Sequence, residues 1–300
     1  MQWHDDQKAL APTESTEMNP ISRRSLLTSA AVATGGLAFA GLAACTGTPN
    51  IPRPTASPTG PIKAQLDEVL TIVSAGSDKF GVFITDVRSG GTYSFNGDYS
   101  SQNASMVKVM IALMSLRKAG GLLSPENDAV ATKMITQSDN ASAETLWAYG
   151  GGPDAYQQLA DELKMTNTHR EQSRDDWSWT WTTPSDQVLL LKYLTEGGTK
   201  AFTTEQAAYV YDLMGKVVDD QTWGVGAPKS ATVAVHLKNG WVQFKSTDNL
   251  WAVNSMGTVK GDGRDYRLAV MTRVPDFATG RELTSEVGRQ VFSILGSGKL

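Results

Sequence analysis

The run Met106–Leu116 is apolar at nearly every position, about three turns of helix at 3.6 residues per turn. A helix of that pattern is buried all round rather than amphipathic. One position breaks it. Lys108 sits among apolar neighbours, and a lysine there is costly unless something pairs with it or uses it. Ser105 stands three positions earlier, on the same helix face and at the end where backbone N–H groups lack partners. Within the stretch Ser101–Leu123 the pattern predicts a helix with Ser105 at its N-terminus, ended by Gly120-Gly121.

Around this run the periodicity changes twice. Ile62–Ser74 has apolar residues at helical spacing, and Phe80–Val87 and Thr92–Asn96 read as strands joined by the turn Arg88-Ser89-Gly90-Gly91. Downstream come helices over Ser124–Gln137, Ala141–Tyr149 and Pro153–Met165. Thr166–Thr182 has no helical period and reads as an Ω-type loop. Helices follow at Thr183–Leu194 and Thr203–Val217. Three strands are predicted at Val233–Phe244, Leu250–Val259 and Tyr266–Val274, and a helix at Glu282–Leu295. Strands at both ends must share one antiparallel sheet, with the middle helices forming an all-helical lobe. The class is α+β, not the alternating order of a doubly wound sheet.

Composition alters this picture mainly at the N-terminus. Ser22-Arg23-Arg24-Ser25-Leu26-Leu27 is a twin-arginine signature leading into the apolar run Leu26–Ala44. The run ends at Leu42-Ala43-Ala44-Cys45, which looks like a bacterial lipobox with Cys45 as the lipidated residue. A transmembrane helix is the competing reading, but the basic lead-in and small residues favour a processed signal over residues 1–44. Met18 is an alternative start. Residues 45–61 are rich in Pro, Thr and Gly and read as an extended tether, leaving 62–300 as the domain. The expected location is the outer face of the cell membrane, held through Cys45.

With 40% apolar and 19% charged residues the chain is ordinary for a globular protein, and a net charge of -4 argues against a nucleic-acid partner. Cys45 is the one cysteine, so no disulfide forms within the chain. Histidines occur only at 4, 169 and 236. A metal site or a Ser-His-Asp triad is therefore poorly supported, and no cofactor is implied. A monomer is expected.

Three short signals then stand in order: Ser105-Met106-Val107-Lys108, Ser138-Asp139-Asn140 between helices, and Lys238-Asn239-Gly240 in the first C-terminal strand. Each has a plain alternative. Ser105 is a reasonable helix cap, Lys108 could snorkel to the surface, Ser138-Asp139-Asn140 is good turn chemistry, and Lys238 could be a solvated strand residue. His236 shares a strand face with Lys238 and reads as structural more readily than as cleft-lining. Trp177, Trp179 and Trp181 are either an aromatic wall for a substrate or, more readily, loop packing.

Together the three signals resemble the SxxK, SDN and KTG elements of class A β-lactamases and penicillin-binding proteins. The resemblance implies a β-lactamase/transpeptidase-like fold with a five-stranded antiparallel sheet. It implies Ser105 as the acylated nucleophile, Lys108 as its base, Ser138 as a proton relay and Lys238 as the anchor of a substrate carboxylate. Asn140 would bind a substrate amide carbonyl, Asn239 and Gly240 would line the site, and the N–H groups of Ser105 and Trp241 would form the oxyanion hole. The implied substrate is a β-lactam or a cell-wall peptide. The chain departs from the class A pattern in a short Ser105–Ser138 gap, in Asn239 where threonine is usual, and in lacking the Glu-x-x-Leu-Asn motif on the Ω-type loop. Glu171, Asp175 and Asp176 are the replacement candidates for the base that would activate a deacylating water. Acylation is thus better supported than deacylation, which leaves a β-lactamase, a cell-wall peptidase or esterase, and a non-catalytic penicillin-binding lipoprotein open.

Overall fold

A computed structural model of the chain describes residues 49–173, 175–244 and 248–300. The expected signal segment, Met18 and Cys45 lie outside the described residues. The elements in chain order are α1 (Ile62–Val73), β1 (Phe80–Asp86), β2 (Thr92–Phe95), β3 (Ser101–Gln102), α2 (Lys108–Ala119), α3 (Pro125–Thr136), α4 (Asn140–Gly150), α5 (Gly152–Glu162), β4 (Trp181–Thr182), α6 (Pro184–Glu196), α7 (Thr204–Met214), β5 (Val233–Gln243), β6 (Trp251–Gly261), β7 (Arg264–Val274) and α8 (Phe277–Ser297).

Five strands form an antiparallel sheet in the order β2-β1-β7-β6-β5. Strands from the two ends of the chain meet where β1 pairs with β7, as the alternating patterns require. Two apolar clusters flank the sheet. On one face α1 and α8 bury Leu66, Leu70, Val287 and Val291 against Val82, Ile84, Leu268 and Val270. The other cluster is the helical lobe, which reaches the sheet through Met256, Ala269 and Met271. α2 runs through its middle against α3, α4, α5 and α7. Val109 through Leu113 are wholly buried, which is why its sequence shows no polar face.

The start of α2 differs from the sequence expectation, since the α-helix begins at Lys108 and not at Ser105. Ser101 and Gln102 are not helical; they pair with Thr182 and Trp181 as the two-stranded ladder β3–β4. Ala104 then takes a left-handed backbone (φ 50), and a 3₁₀ turn over Ala104–Val107 leads into α2 at Lys108. Strands of two residues leave no readable alternation, so the sequence could not reveal this ladder.

The compact unit begins at Pro49, so most of the expected 45–61 tether belongs to it. Residues 49–61 hold no helix or strand, yet Ile51 is buried in the cluster under α8. Arg53 reaches Glu282 Oε1 at 2.8 Å and Glu286 Oε2 at 3.0 Å on α8.

Candidate active site

The 3₁₀ turn that carries Ser105 is fixed from three sides. The Asn103 N–H donates to Thr180 O at 2.7 Å, tying the turn to the loop before β4. From the middle of the sheet, buried Asn254 donates through Nδ2 to Gln102 O at 2.9 Å and accepts the Thr272 N–H at 3.2 Å. The third side is β5. A Cβ on Gly240 would lie 2.8 Å from the Met106 nitrogen and 2.9 Å from the Ser105 nitrogen, so only glycine lets the strand approach this closely. Ser105 is 4% exposed at this junction.

Lys108 and Lys238 are both wholly buried, and both point at Ser138. Lys108 Nζ donates to Ser138 O (2.6 Å), Ser138 Oγ (3.3 Å) and Asn140 Oδ1 (2.7 Å). Lys238 Nζ donates to Ser138 Oγ at 2.8 Å and to Asn239 O at 3.2 Å. Ser138 has a left-handed backbone (φ 59), an uncommon conformation for a side chain with a Cβ. The next residue secures it. Asp139 caps α4, accepting from Ser142 N at 2.8 Å and Ser142 Oγ at 2.7 Å, and pairs with Lys133 at 3.2 Å. Helical lobe and sheet thus supply one lysine each to a single hydroxyl.

Burial is the main cause that drives the Lys108 amine well below its ordinary pKa, and the charge of Lys238 adds to it; Asp139 opposes. Burial alone brings Lys238 down to about 7. A neutral amine at Lys108 is able to accept a proton, and a charged Lys238 is able to attract an anion.

The Phe244 N–H donates to Leu250 O at 2.8 Å, and the β5–β6 register runs from there to Val233 without a bulge. Hydrogen-bonded pairs alternate along an antiparallel ladder. Even-numbered residues of β5 therefore point their N–H groups at β6, and odd-numbered ones point them out of the sheet at its open edge. The Trp241 N–H is one of these, directly after the glycine that touches Ser105. The Trp241 ring itself packs on Phe277 (5.3 Å between centroids) and Trp223 (6.0 Å). Asn239 turns its amide to Gln221 O (2.9 Å) and Trp223 O (3.2 Å), so its side chain holds the loop ahead of β5.

No hydrogen bond joins the three loop carboxylates to Lys108 or Ser138 among the described residues. Glu171 accepts from the Trp181 indole at 3.1 Å and from Ser173 Oγ at 3.3 Å; the Trp181 bond is the main reason its carboxyl stays below the usual range. Asp176 accepts from Ser178 N at 2.7 Å and Ser178 Oγ at 2.8 Å, capping a 3₁₀ turn over Trp177–Trp179. Asp175 has an exposed side chain, and its carbonyl accepts the Trp147 indole at 3.0 Å.

Sequence reasoning missed the group that does reach Lys108. The Trp177 ring centroid lies 4.9 Å from Lys108 Nζ, and the indole N–H donates to Glu144 Oε2 of α4 at 3.2 Å. The alternation of Trp177, Trp179 and Trp181 was the available signal. Trp177 and Trp179 are buried, while Trp181 stacks on His169 with rings 5° from parallel. His236 stacks on Tyr211 with 3.9 Å between ring centroids, which is a packing role.

Comparison with known proteins places the fold. The chain is 25% identical over 253 residues to LppW of Mycobacterium tuberculosis, named as a lipoprotein, covering 80% of this chain and 78% of that one. Among solved structures it is similar to a class A β-lactamase from Bacteroides cellulosilyticus (TM-score 0.67, 17% identity, 80% of this chain and 100% of the other). A class A β-lactamase from Mycobacterium abscessus aligns with a TM-score of 0.63 at 19% identity over 79% of this chain and 100% of the other. A variant of PBP-A, solved as an acyl-enzyme complex with penicillin G, gives 0.63 at 20% identity over 79% and 96%. The profile of the Beta-lactamase enzyme family matches residues 121–295. By that match and by its fold, the chain belongs to the Beta-lactamase enzyme family, the group of class A β-lactamases and penicillin-binding-protein-like enzymes.

Proposed function

We propose that the protein is a serine acyltransferring hydrolase that takes the acyl group of a β-lactam or a related cell-wall amide onto Ser105. The observation that carries this reading is the convergence on Ser138 of Lys238 and of Lys108, the lysine three residues after Ser105. Neutral Lys108 takes the Ser105 proton as Oγ bonds to the substrate carbonyl carbon. The N–H groups of Ser105 and Trp241 hold the oxygen as it becomes negative; one such donor contributes about 3 kcal/mol at the barrier. The C–N bond breaks, and Ser138 passes a proton to the departing nitrogen and is resupplied from its lysines. Asn140, oriented by Lys108, binds the substrate amide carbonyl, and charged Lys238 attracts the substrate carboxylate.

The same geometry favours acylation over hydrolysis. The carboxylates of the Ω-type loop are engaged in loop hydrogen bonds or face solvent, and the face of Lys108 toward that loop meets an indole. Rapid β-lactam turnover is therefore the less favoured version, and a slow penicillin-binding peptidase or esterase the more favoured. Export and anchoring through Cys45 complete the proposal, supported by the lipobox and by the lipoprotein name of LppW.

Labelling with a fluorescent penicillin, read on a gel and by intact mass, tests the reading. A covalent adduct is expected on the wild type and not on Ser105→Ala; an adduct surviving that substitution would remove the proposal. Nitrocefin separates the versions, since labelling with fast turnover would favour the β-lactamase.

A further inference from the structure

We propose that Trp177, held by Glu144, is the residue that keeps water from the acyl-enzyme. This deepens the acyl-Ser105 reading and rests on it. Three observations place the indole. Its face covers Lys108 Nζ, with 4.9 Å from nitrogen to ring centroid. Trp177 is 6% exposed, so the ring that meets the amine is packed into the interior. Its backbone is pinned on both sides: Asp176 caps the 3₁₀ turn that begins at Trp177, and Thr180 donates to Trp177 O through Oγ1 at 3.0 Å. The same loop is tied to the Ser105 turn by the Asn103–Thr180 bond.

The consequence is chemical. Hydrolysis needs a water within reach of both the acyl carbon and a base. Lys108 is the base of the proposed acylation, and it regains its neutral form once its proton has passed through Ser138 to the departing nitrogen. With the indole in place, the side of Lys108 toward the loop has no room for that water. Were the ring removed, a water there would give a proton to Lys108 Nζ while its oxygen bonds to the acyl carbon. The bond from that carbon to Ser105 Oγ would then break, and Lys108 would return the proton to Oγ. The free carboxylic acid and the free enzyme would result.

Glu144 is the latch. It is exposed on α4, and its Oε2 takes the indole N–H at 3.2 Å, fixing the ring's rotation over the amine. Through the Trp177 ring it is linked to Lys108. That makes the sign of its effect decisive: a latch slows deacylation, whereas a base for water would speed it.

The experiment measures acylation and deacylation separately on the full-length protein, with fluorescent penicillin for loading and time-resolved intact mass for loss of the adduct. Trp177→Ala is expected to shorten the adduct's lifetime at least tenfold while the acylation rate stays within about threefold. Trp177→Phe keeps a ring but loses the N–H, and Glu144→Gln weakens the latch; both are expected to give smaller shortenings of the same sign, and both substitutions are mild enough to preserve the fold if Trp177→Ala is not. In steady state the gain appears in kcat and not in kcat/KM, a split that loosened loop packing would not produce. Unchanged lifetimes in all three variants would overturn the inference, as would a longer lifetime in Glu144→Gln. A wild type that takes no label would remove the acyl-Ser105 reading itself, a different outcome from label with unchanged lifetimes.

Discussion

Gly240 and Ser105 approach so closely that a Cβ on the glycine would lie 2.9 Å from the serine's backbone nitrogen and 2.8 Å from Asn103 O. The obstacles are backbone atoms, which cannot swing aside. Gly240→Ala must therefore push β5 from the Ser105 turn and widen the gap between the two N–H groups proposed to hold the oxyanion. We expect acylation to fall by about two orders of magnitude, in line with the loss of one such donor, and stability to fall by about 1–3 kcal/mol from overpacking. Labelling kinetics beside a urea titration check both; normal acylation would show that β5 does not supply the second donor.

A different pair governs acid stability. Asp86 is wholly buried and accepts the Arg88 fork, Nε to Oδ1 at 2.8 Å and Nη2 to Oδ2 at 2.7 Å, and the Leu300 N–H at 3.1 Å. Burial alone would raise its pKa; the Arg88 and Leu300 hydrogen bonds together outweigh it and hold the carboxyl below the ordinary 3.8. A lowered carboxylate pKa stabilises the fold above its ordinary value and loses that contribution as pH falls through the folded value. Arg88 also donates to Leu295 O at 3.1 Å and Gly298 O at 2.9 Å, so the pair clamps the end of α8 to the β1–β2 turn. Asp86→Ala is expected to cost about 3 kcal/mol at neutral pH and to flatten the loss of stability below pH 4. Thermal melts from pH 3 to 7 measure this, and parallel curves for variant and wild type would exclude Asp86 as the group responsible.

The strap ahead of α1 gives a third expectation. Ile51 is buried under α8 and Arg53 bonds Glu282 and Glu286, although composition alone describes residues 45–61 as a free tether. Ile51→Ser should cost about 2 kcal/mol for the lost apolar burial, which is about 5 °C in melting temperature for a domain of this size. Arg53→Ala should cost about 1 kcal/mol, because the Arg53 side chain is itself exposed and its buried partner Glu286 keeps Arg289. Equal melting temperatures for Ile51→Ser and wild type would show that the segment is undocked in solution.

That strap marks a limit of what the sequence discloses. The sheet was legible because β5, β6 and β7 each carry long alternating or apolar runs bounded by turns. The buried lysine was legible because charge among apolar residues is expensive. Ile51 was not, since one apolar residue in a Pro/Thr/Gly stretch has no period. The ladder β3–β4 was too short to show alternation. The Ω-type loop was legible as a loop, but nothing in its residue order says which tryptophan faces Lys108, because that depends on the cap at Asp176 and on the loop's tie to Asn103. Glu144 is a surface helix position by pattern, and only the placement of Trp177 gives it a partner. The lysines and serines of the candidate site could be read because their chemistry is unusual for their surroundings; the groups that control water access are ordinary residues made specific by position.

The last expectation concerns pH and the two buried lysines. Lys108 works as a base only when neutral, and Lys238 attracts a carboxylate only when charged. Burial and the charge of Lys238 hold Lys108 far down, while burial alone leaves Lys238 at about 7. Acylation by a carboxylate-bearing β-lactam should therefore rise with pH as Lys108 loses its proton and fall again above about pH 7 as Lys238 loses its own. Two substitutions separate the limbs. Lys238→Arg keeps a charge that does not titrate; it should lower the maximum through poorer fit to Ser138 but abolish the alkaline fall. Lys238→Met removes the charge that depresses Lys108. The base should then regain its proton at higher pH, moving the acid limb upward, and the alkaline limb should vanish along with most of the dependence on the substrate carboxylate. Second-order acylation rates from pH 5 to 9 for the three proteins decide the assignment. An alkaline fall that persists in Lys238→Arg would assign that limb to another group, and an acid limb that stays in place in Lys238→Met would mean that the charge of Lys238 does not hold Lys108 down.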